Sequence, residues 1–157
     1  EKAFGERMKI SPVLNKMMEN KELLGRKNGK GVYLYKEGEK QKVNPEAQEV
    51  ISRNKVQGSE KPEGNAIRDR LMAVMINEAS LCLEDNVAQS AEDVDMALVL
   101  GTGFPPFRGG LLIYADKLGA RNIVSILSDH ERTGGKRYKA TNMIKRMAES
   151  GGSFYGK

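Results

Sequence analysis

Apolar positions recur at helical spacing through most of this chain. Ser11-Pro12 reads as a helix N-cap and first turn, and Val13, Leu14, Met17 and Met18 follow on one face. That helix is expected to end between Glu19 and Leu24, before Gly25. After the turn Gly25–Gly31, Val32 and Leu34 alternate with Tyr33 and Tyr35, which predicts a short extended segment. Residues 36–65 are polar, broken by a short helix after Asn44-Pro45 that Ala47, Val50 and Ile51 carry. The connector Gly58–Asn65 has no apolar residue, so a domain boundary is expected there. A long helix then spans roughly 65–86, with Ile67, Leu71, Val74 and Leu81 on one face and Met75 and Cys82 beside it. This is the face expected to be buried. Glu78 and Asp85 share it. Ser90-Ala91-Glu92-Asp93 is close to a capping box and starts a helix through Val94, Ala97 and Leu98 that is expected to stop at Gly101. Leu111–Leu118 is a helix closed by Gly119. Two more helices follow, near 121–131 and 141–149, the second capped by Thr141 and ended by Gly151-Gly152. The pattern is all-α, with one short extended segment after Gly31.

The stretch Gly101-Thr102-Gly103-Phe104-Pro105-Pro106-Phe107-Arg108-Gly109-Gly110 interrupts this pattern. Its four glycines and two prolines exclude a helix interior or a central strand. A plain linker would not carry two phenylalanines, so a shaped turn that meets another surface is expected. Arg108 is expected to anchor it through an ion pair or backbone carbonyls. Glu78 lies among apolar neighbours, where a carboxylate needs hydrogen-bond donors. The amides of the Gly101–Gly110 turn are one set of donors it could accept from, and Asn77 could do similar work. A weaker echo links Leu14–Glu19 and its glycines to Ile144–Glu149 and its glycines, as two copies of one helical unit would.

Composition narrows the function classes. The 157 residues are enough for a real core, and no run of apolar residues is long enough to span a membrane. No signal peptide is visible, and the lack of an initiator Met suggests an excised segment. The lone Cys82 excludes an internal disulfide and a cysteine metal cluster, and reads as a buried thiol. The net charge of +5 belongs to residues 1–61, which hold 14 Lys and Arg against 9 Asp and Glu. Those lysines alternate with acids and lack an aromatic platform, so solvated surface is favoured over nucleic-acid binding. Gly29-Lys30 is followed by Gly31, not Ser or Thr, which fails the phosphate-loop pattern. Gly101-x-Gly103-x-x-Pro106 fails as a dinucleotide fingerprint because a helix precedes it. His130 reads as an exposed residue at a helix end, and Glu92, Asp93 and Asp95 as acids suiting the N-terminal dipole of their own helix. No set of residues forms a catalytic or metal-binding constellation, which points to a helper domain.

Gly25-Arg26-Lys27-Asn28-Gly29-Lys30-Gly31-Val32-Tyr33 resembles the end of a C-terminal domain of 3-hydroxyacyl-CoA dehydrogenases. Asn77-Glu78-Ala79, Asp93–Ala97, Gly101–Gly110 and Tyr114-Ala115-Asp116 resemble the next domain of the same family, in the form typical of multifunctional fatty-acid oxidation enzymes. The resemblance implies a helical domain like the C-terminal part of 6-phosphogluconate dehydrogenase. Residues 1–43 would be the tail of a first unit, 44–59 a linker, and 60–157 a complete second unit. It further implies a cytoplasmic polypeptide with an enoyl-CoA hydratase domain and a Rossmann domain upstream, the latter holding NAD and the catalytic residues. The reaction implied is oxidation of L-3-hydroxyacyl-CoA to 3-ketoacyl-CoA. The present residues would pack on the Rossmann domain, help line the acyl-CoA cleft, bind no cofactor themselves, and be inactive alone. Where some members place an aromatic residue against substrate, this chain has Leu100, which is expected to line the cleft or to pack in the core. Two other readings stay open: a basic module that binds nucleic acid, and a structural oligomerisation domain in which the helix of Val13, Leu14, Met17 and Met18 docks on another copy or on the second unit.

Overall fold

A computed structural model describes Gly5, residues 10–54 and residues 63–156. The chain divides into two compact units, residues 1–61 and 62–157. Most of the connector Gly58–Asn65 lies outside the described residues.

The first unit holds α1 (Pro12–Glu19), the antiparallel strands β1 (Tyr33–Leu34) and β2 (Lys42–Val43), and α2 (Pro45–Arg53). Asn44 builds the start of α2. Its side-chain oxygen accepts from the Glu46 amide, its side-chain amide donates to the Gly31 carbonyl, and Pro45 takes the first helical position. Ala47 and Val50 then pack against Met17, Leu23 and Val13. Half of the stretch expected as a linker is therefore core, because Ala47 and Val50 are one helical turn apart and face α1. Gly31 is required here: a Cβ on it would stand 2.8 Å from the Gly25 Cα across the turn. The echo between α1 and the last helix weakens at their ends, since α1 stops at Asn20 in an extended conformation and the other stops at Gly151 in the left-handed region.

The second unit runs α3 (Gly64–Glu84), α4 (Ala91–Thr102), a 3-10 turn over Pro106–Arg108, α5 (Leu111–Leu118), α6 (Ala120–Gly134), a 3-10 turn over Gly135–Tyr138, and α7 (Asn142–Ser150). Ile76, Leu111, Leu112, Ile123, Leu127 and Ile144 are fully buried at its centre. Caps written in the sequence set several boundaries. The Ser90 hydroxyl accepts from the Asp93 amide, and the Thr141 hydroxyl accepts from the Ile144 amide.

The buried face of α3 is the reverse of the one its hydrophobicity predicts. Ala73, Ile76, Asn77, Ala79 and Ser80 are buried, whereas Ile67, Leu71 and Met75 are exposed at 45%, 59% and 37%. The reason is polar docking. The Asn77 side chain donates to the Lys139 carbonyl and accepts from the Thr141 amide, both at 3.0 Å. The Ser80 and Thr141 hydroxyls are 2.8 Å apart, and Glu84 accepts from the Met143 amide. These groups satisfy backbone positions that entry into α7 would otherwise leave buried without partners. Small Ala and Ser side chains on that face let α6 and α7 approach.

Candidate functional site

The Gly101–Gly110 corner joins α4 to α5. Helix α4 runs one residue past Gly101, to Thr102, whose hydroxyl bonds back to the Leu98 carbonyl at 2.8 Å. The chain leaves the helix at Gly103, in the left-handed region with φ of 72°. Phe104 turns into the core, Pro105 is half-buried, Pro106 opens the 3-10 turn, and Phe107 stays 83% exposed. The Arg108 guanidinium lies over the rings of Phe107 and Tyr114, with the carbon 5.6 and 5.1 Å from their centroids. Stacking thus fills the anchoring role expected of an ion pair or carbonyl contact. Gly109 and Gly110 both have positive φ.

A buried carboxylate that braces this corner is Asp95. Asp95 is buried, and its two oxygens accept from the Leu112 amide at 2.7 Å and the Ile113 amide at 3.1 Å. It therefore caps the first turn of α5, where free amides and the helix dipole favour an anion. The Tyr155 hydroxyl donates to Asp95 at 2.9 Å. Burial first, and then that bond, raise the Tyr155 pKa, so the phenol stays protonated. Gly110 packs directly on this carboxylate: a Cβ there would fall 2.2 Å from it. Asp95 is thus separated in role from Glu92 and Asp93, which remain exposed in the first turn of α4. The available signal was its position, since Asp95 shares the inward face of Ala91, Val94 and Leu98. Glu78 is half-buried and lines a groove between α3 and α4.

That groove has a volume of about 490 Å³ and is lined by Val74, Met75, Cys82, Val94, Leu98 and Leu111. Cys82 is half-buried there. Leu100 does not pack in the core. It is 77% exposed and shares a helical face with Met96, which is 60% exposed. His130 is not fully exposed, because its ring lies 5.5 Å from that of Tyr138. Tyr138 in turn accepts from Arg70 at 2.6 Å. Among the described residues no group of three or more His, Cys, Asp or Glu side chains is arranged to hold a metal ion, and no helix is long and apolar enough to cross a membrane.

These features define an all-α domain with a braced corner, a stacked arginine and an apolar groove between α3 and α4. Residues 67–153 match the family model of the 3-hydroxyacyl-CoA dehydrogenase C-terminal domain, and the chain belongs to that family. It is 38% identical to the fatty acid oxidation complex subunit alpha of Shewanella halifaxensis (strain HAW-EB4), over 155 residues and 99% of the chain. It is 39% identical to the protein of the same name from Acinetobacter baumannii (strain SDF), over 159 residues and 98% of the chain. The chain spans 22% of the length of each of these relatives.

Proposed function

We propose that this chain works as the C-terminal helical part of a multifunctional fatty-acid oxidation enzyme of the alpha-subunit type. In that setting it supports oxidation of L-3-hydroxyacyl-CoA to 3-ketoacyl-CoA by packing against a Rossmann domain and holding the assembly together. The observation that carries this reading is apolar surface left open on both helices: the groove between α3 and α4, with Met75 in its wall, and the exposed side chains of Ile67, Leu71, Met96 and Leu100 on the same two helices. Covering such apolar surface with a partner domain removes unfavourable hydration.

Among the described residues, neither glycine-rich stretch fits NAD. The N-terminal end of α5, where a pyrophosphate would seat, is already filled by the Asp95 carboxylate. Neither the corner nor the Gly25–Gly31 turn follows a strand that enters a helix. We therefore assign cofactor binding and proton transfer to the partner domains, and to this chain an apolar wall: Leu100 beside the acyl part of the substrate, with the Phe104–Gly110 corner shaping the adjoining surface. Cytoplasmic residence, and a hydratase domain in the same polypeptide, belong to the same reading.

The test is NADH oxidation with acetoacetyl-CoA. The 157 residues alone are expected to show none. Mixed with the hydratase and Rossmann portions of a relative, they are expected to restore turnover, and Leu71→Glu is expected to weaken that complementation without unfolding the chain. Steady turnover by the isolated chain would overturn the reading. So would complementation indifferent to Leu71→Glu and to Leu100→Glu.

A second reading, self-association, rests on α1. Leu14 and Met18, one helical turn apart, are 53% and 68% exposed. Sedimentation equilibrium of the wild type against Leu14→Glu separates the two, since only self-association changes mass.

A further inference from the structure

Beyond α7 the segment 151–156 crosses α5 and is held by two carboxylates. The Phe154 and Tyr155 amides donate to the two oxygens of Asp116, at 2.8 and 3.1 Å. Asp116 lies toward the C-terminal end of α5. At the other end of the same helix, the Tyr155 hydroxyl reaches Asp95, whose oxygens hold the Leu112 and Ile113 amides. One buried carboxylate on α4 therefore joins three parts of the fold: its own helix, the first turn of α5, and the segment that follows α7.

Two hollows flank this junction. One, of about 330 Å³, is lined by Met96, Val99, Pro106, Ile113 and Tyr155. The other, of about 390 Å³, is lined by Asp116, Lys117, Gly151, Ser153 and again Ile113 and Tyr155. Tyr155 stands in the wall common to both. Ile113 shares that wall, and Asp95 itself lines the first hollow.

We propose that segment 151–156 is a strap that sets the position of the Phe104–Gly110 corner, with Asp116 and Tyr155 as positioning residues that act through Asp95. The mechanism is steric and electrostatic. Gly110, at φ of 143°, lies so close to Asp95 that a Cβ on it would fall 2.2 Å from the carboxylate, so the position of that carboxylate limits where the Gly110 backbone can lie. Asp95 is held there by the first-turn amides of α5 and by the Tyr155 hydroxyl. The Tyr155 backbone is held by Asp116. Releasing the strap takes the Tyr155 hydroxyl away from Asp95, so the corner and the first turn of α5 gain freedom together. This coupling concerns the corner's own rigidity. It stands whether or not the corner meets an acyl-CoA site.

The experiment is amide hydrogen exchange on the 157-residue chain, resolved to single residues, for the wild type, Asp116→Ala and Tyr155→Phe. Loss of a bond to a charged group corresponds to tenfold or more in local opening. Amides 154 and 155 are expected to exchange about tenfold faster or more in Asp116→Ala. Amides 112 and 113 are expected to exchange several-fold faster in both variants, with α6 and α7 unchanged. A merely structural role would raise exchange evenly across the unit. If amides 112 and 113 keep wild-type protection while the strap loosens, or if neither region changes, the proposal fails. Should Asp116→Ala lose protection throughout the unit, Tyr155→Phe decides alone, because it keeps the ring and backbone in place. Wild-type protection of amides 112 and 113 in Tyr155→Phe would then refute the coupling.

Discussion

Replacing Asp95 with Ala probes the brace most directly. The substitution favours α4 locally, since Ala is the better helix former. What it removes is tertiary. The Leu112 and Ile113 amides lose their acceptor in a first turn where Leu112 is fully buried, and the Tyr155 hydroxyl loses its partner. A hydrogen bond to a charged group contributes about 1.5–3 kcal/mol, and a buried donor left unsatisfied costs about 1–3 kcal/mol. Three such bonds share one carboxylate and are not additive, and water reaches part of the vacated space, so a loss of about 3–5 kcal/mol is expected. That is a large part of the stability of a domain this size. Urea unfolding followed by far-UV circular dichroism measures it, with Asp95→Asn as the companion. Asn keeps one acceptor oxygen but offers an amide to a cluster of donors, so an intermediate loss of about 2 kcal/mol is expected. A stability for Asp95→Ala within about 0.5 kcal/mol of the wild type, the range of an ordinary surface substitution, would refute the brace.

Three further outcomes follow from the same structure. Because the Tyr155 pKa is raised from 10.0, the native state holds that proton more tightly than the unfolded chain; its contribution is complete below about pH 10 and declines as pH rises from there. Alkaline urea titrations should show wild type losing more stability than Tyr155→Phe in that range, and parallel losses would exclude the effect. Gly101→Ala should stabilise the unit by about 0.5–1 kcal/mol, since Gly101 lies inside α4, its φ suits any residue, and a Cβ there meets no atom within 4 Å; a lowered thermal midpoint would contradict this. Asn77→Ala should cost about 2–4 kcal/mol by leaving the Thr141 amide and the Lys139 carbonyl without their partner, read by the same urea titration; a loss under about 0.5 kcal/mol would show that the Asn77 bonds do not hold the entry to α7.

The contrast between α3 and the shorter helices shows how much of this protein can be read from its residues in order. The starts at Ser90 and Thr141 and the stops at Gly119 and Gly151 were all legible, because a cap is a contact between residues at most a few positions apart. The inward face of α3 was not. Its hydrophobic stripe of Ile67, Leu71 and Met75 points outward, and its inward face carries Asn77 and Ser80, whose partners lie 64 and 61 positions further on. Periodicity weighs side chains by polarity and cannot register that a polar one has its partner waiting. Asp95 shares the inward face of Ala91, Val94 and Leu98, but the amides it accepts from, Leu112 and Ile113, lie just past the Gly101–Gly110 stretch and 17 and 18 positions along the chain.

Residues in order were enough for the all-α class, the capped helix ends at Ser90, Thr141, Gly119 and Gly151, and the proline and glycine corner, because local sterics and capping are properties of neighbouring residues, while the family showed as a resemblance of whole motifs. The tertiary structure alone decided which face of α3 is core, which carboxylate braces the corner, that Arg108 stacks on Phe107 and Tyr114, and that the segment after α7 reaches back to α4. Each of those depends on residues brought together only when the helices pack, where the cost of an unpartnered buried polar group outweighs the pattern along the chain.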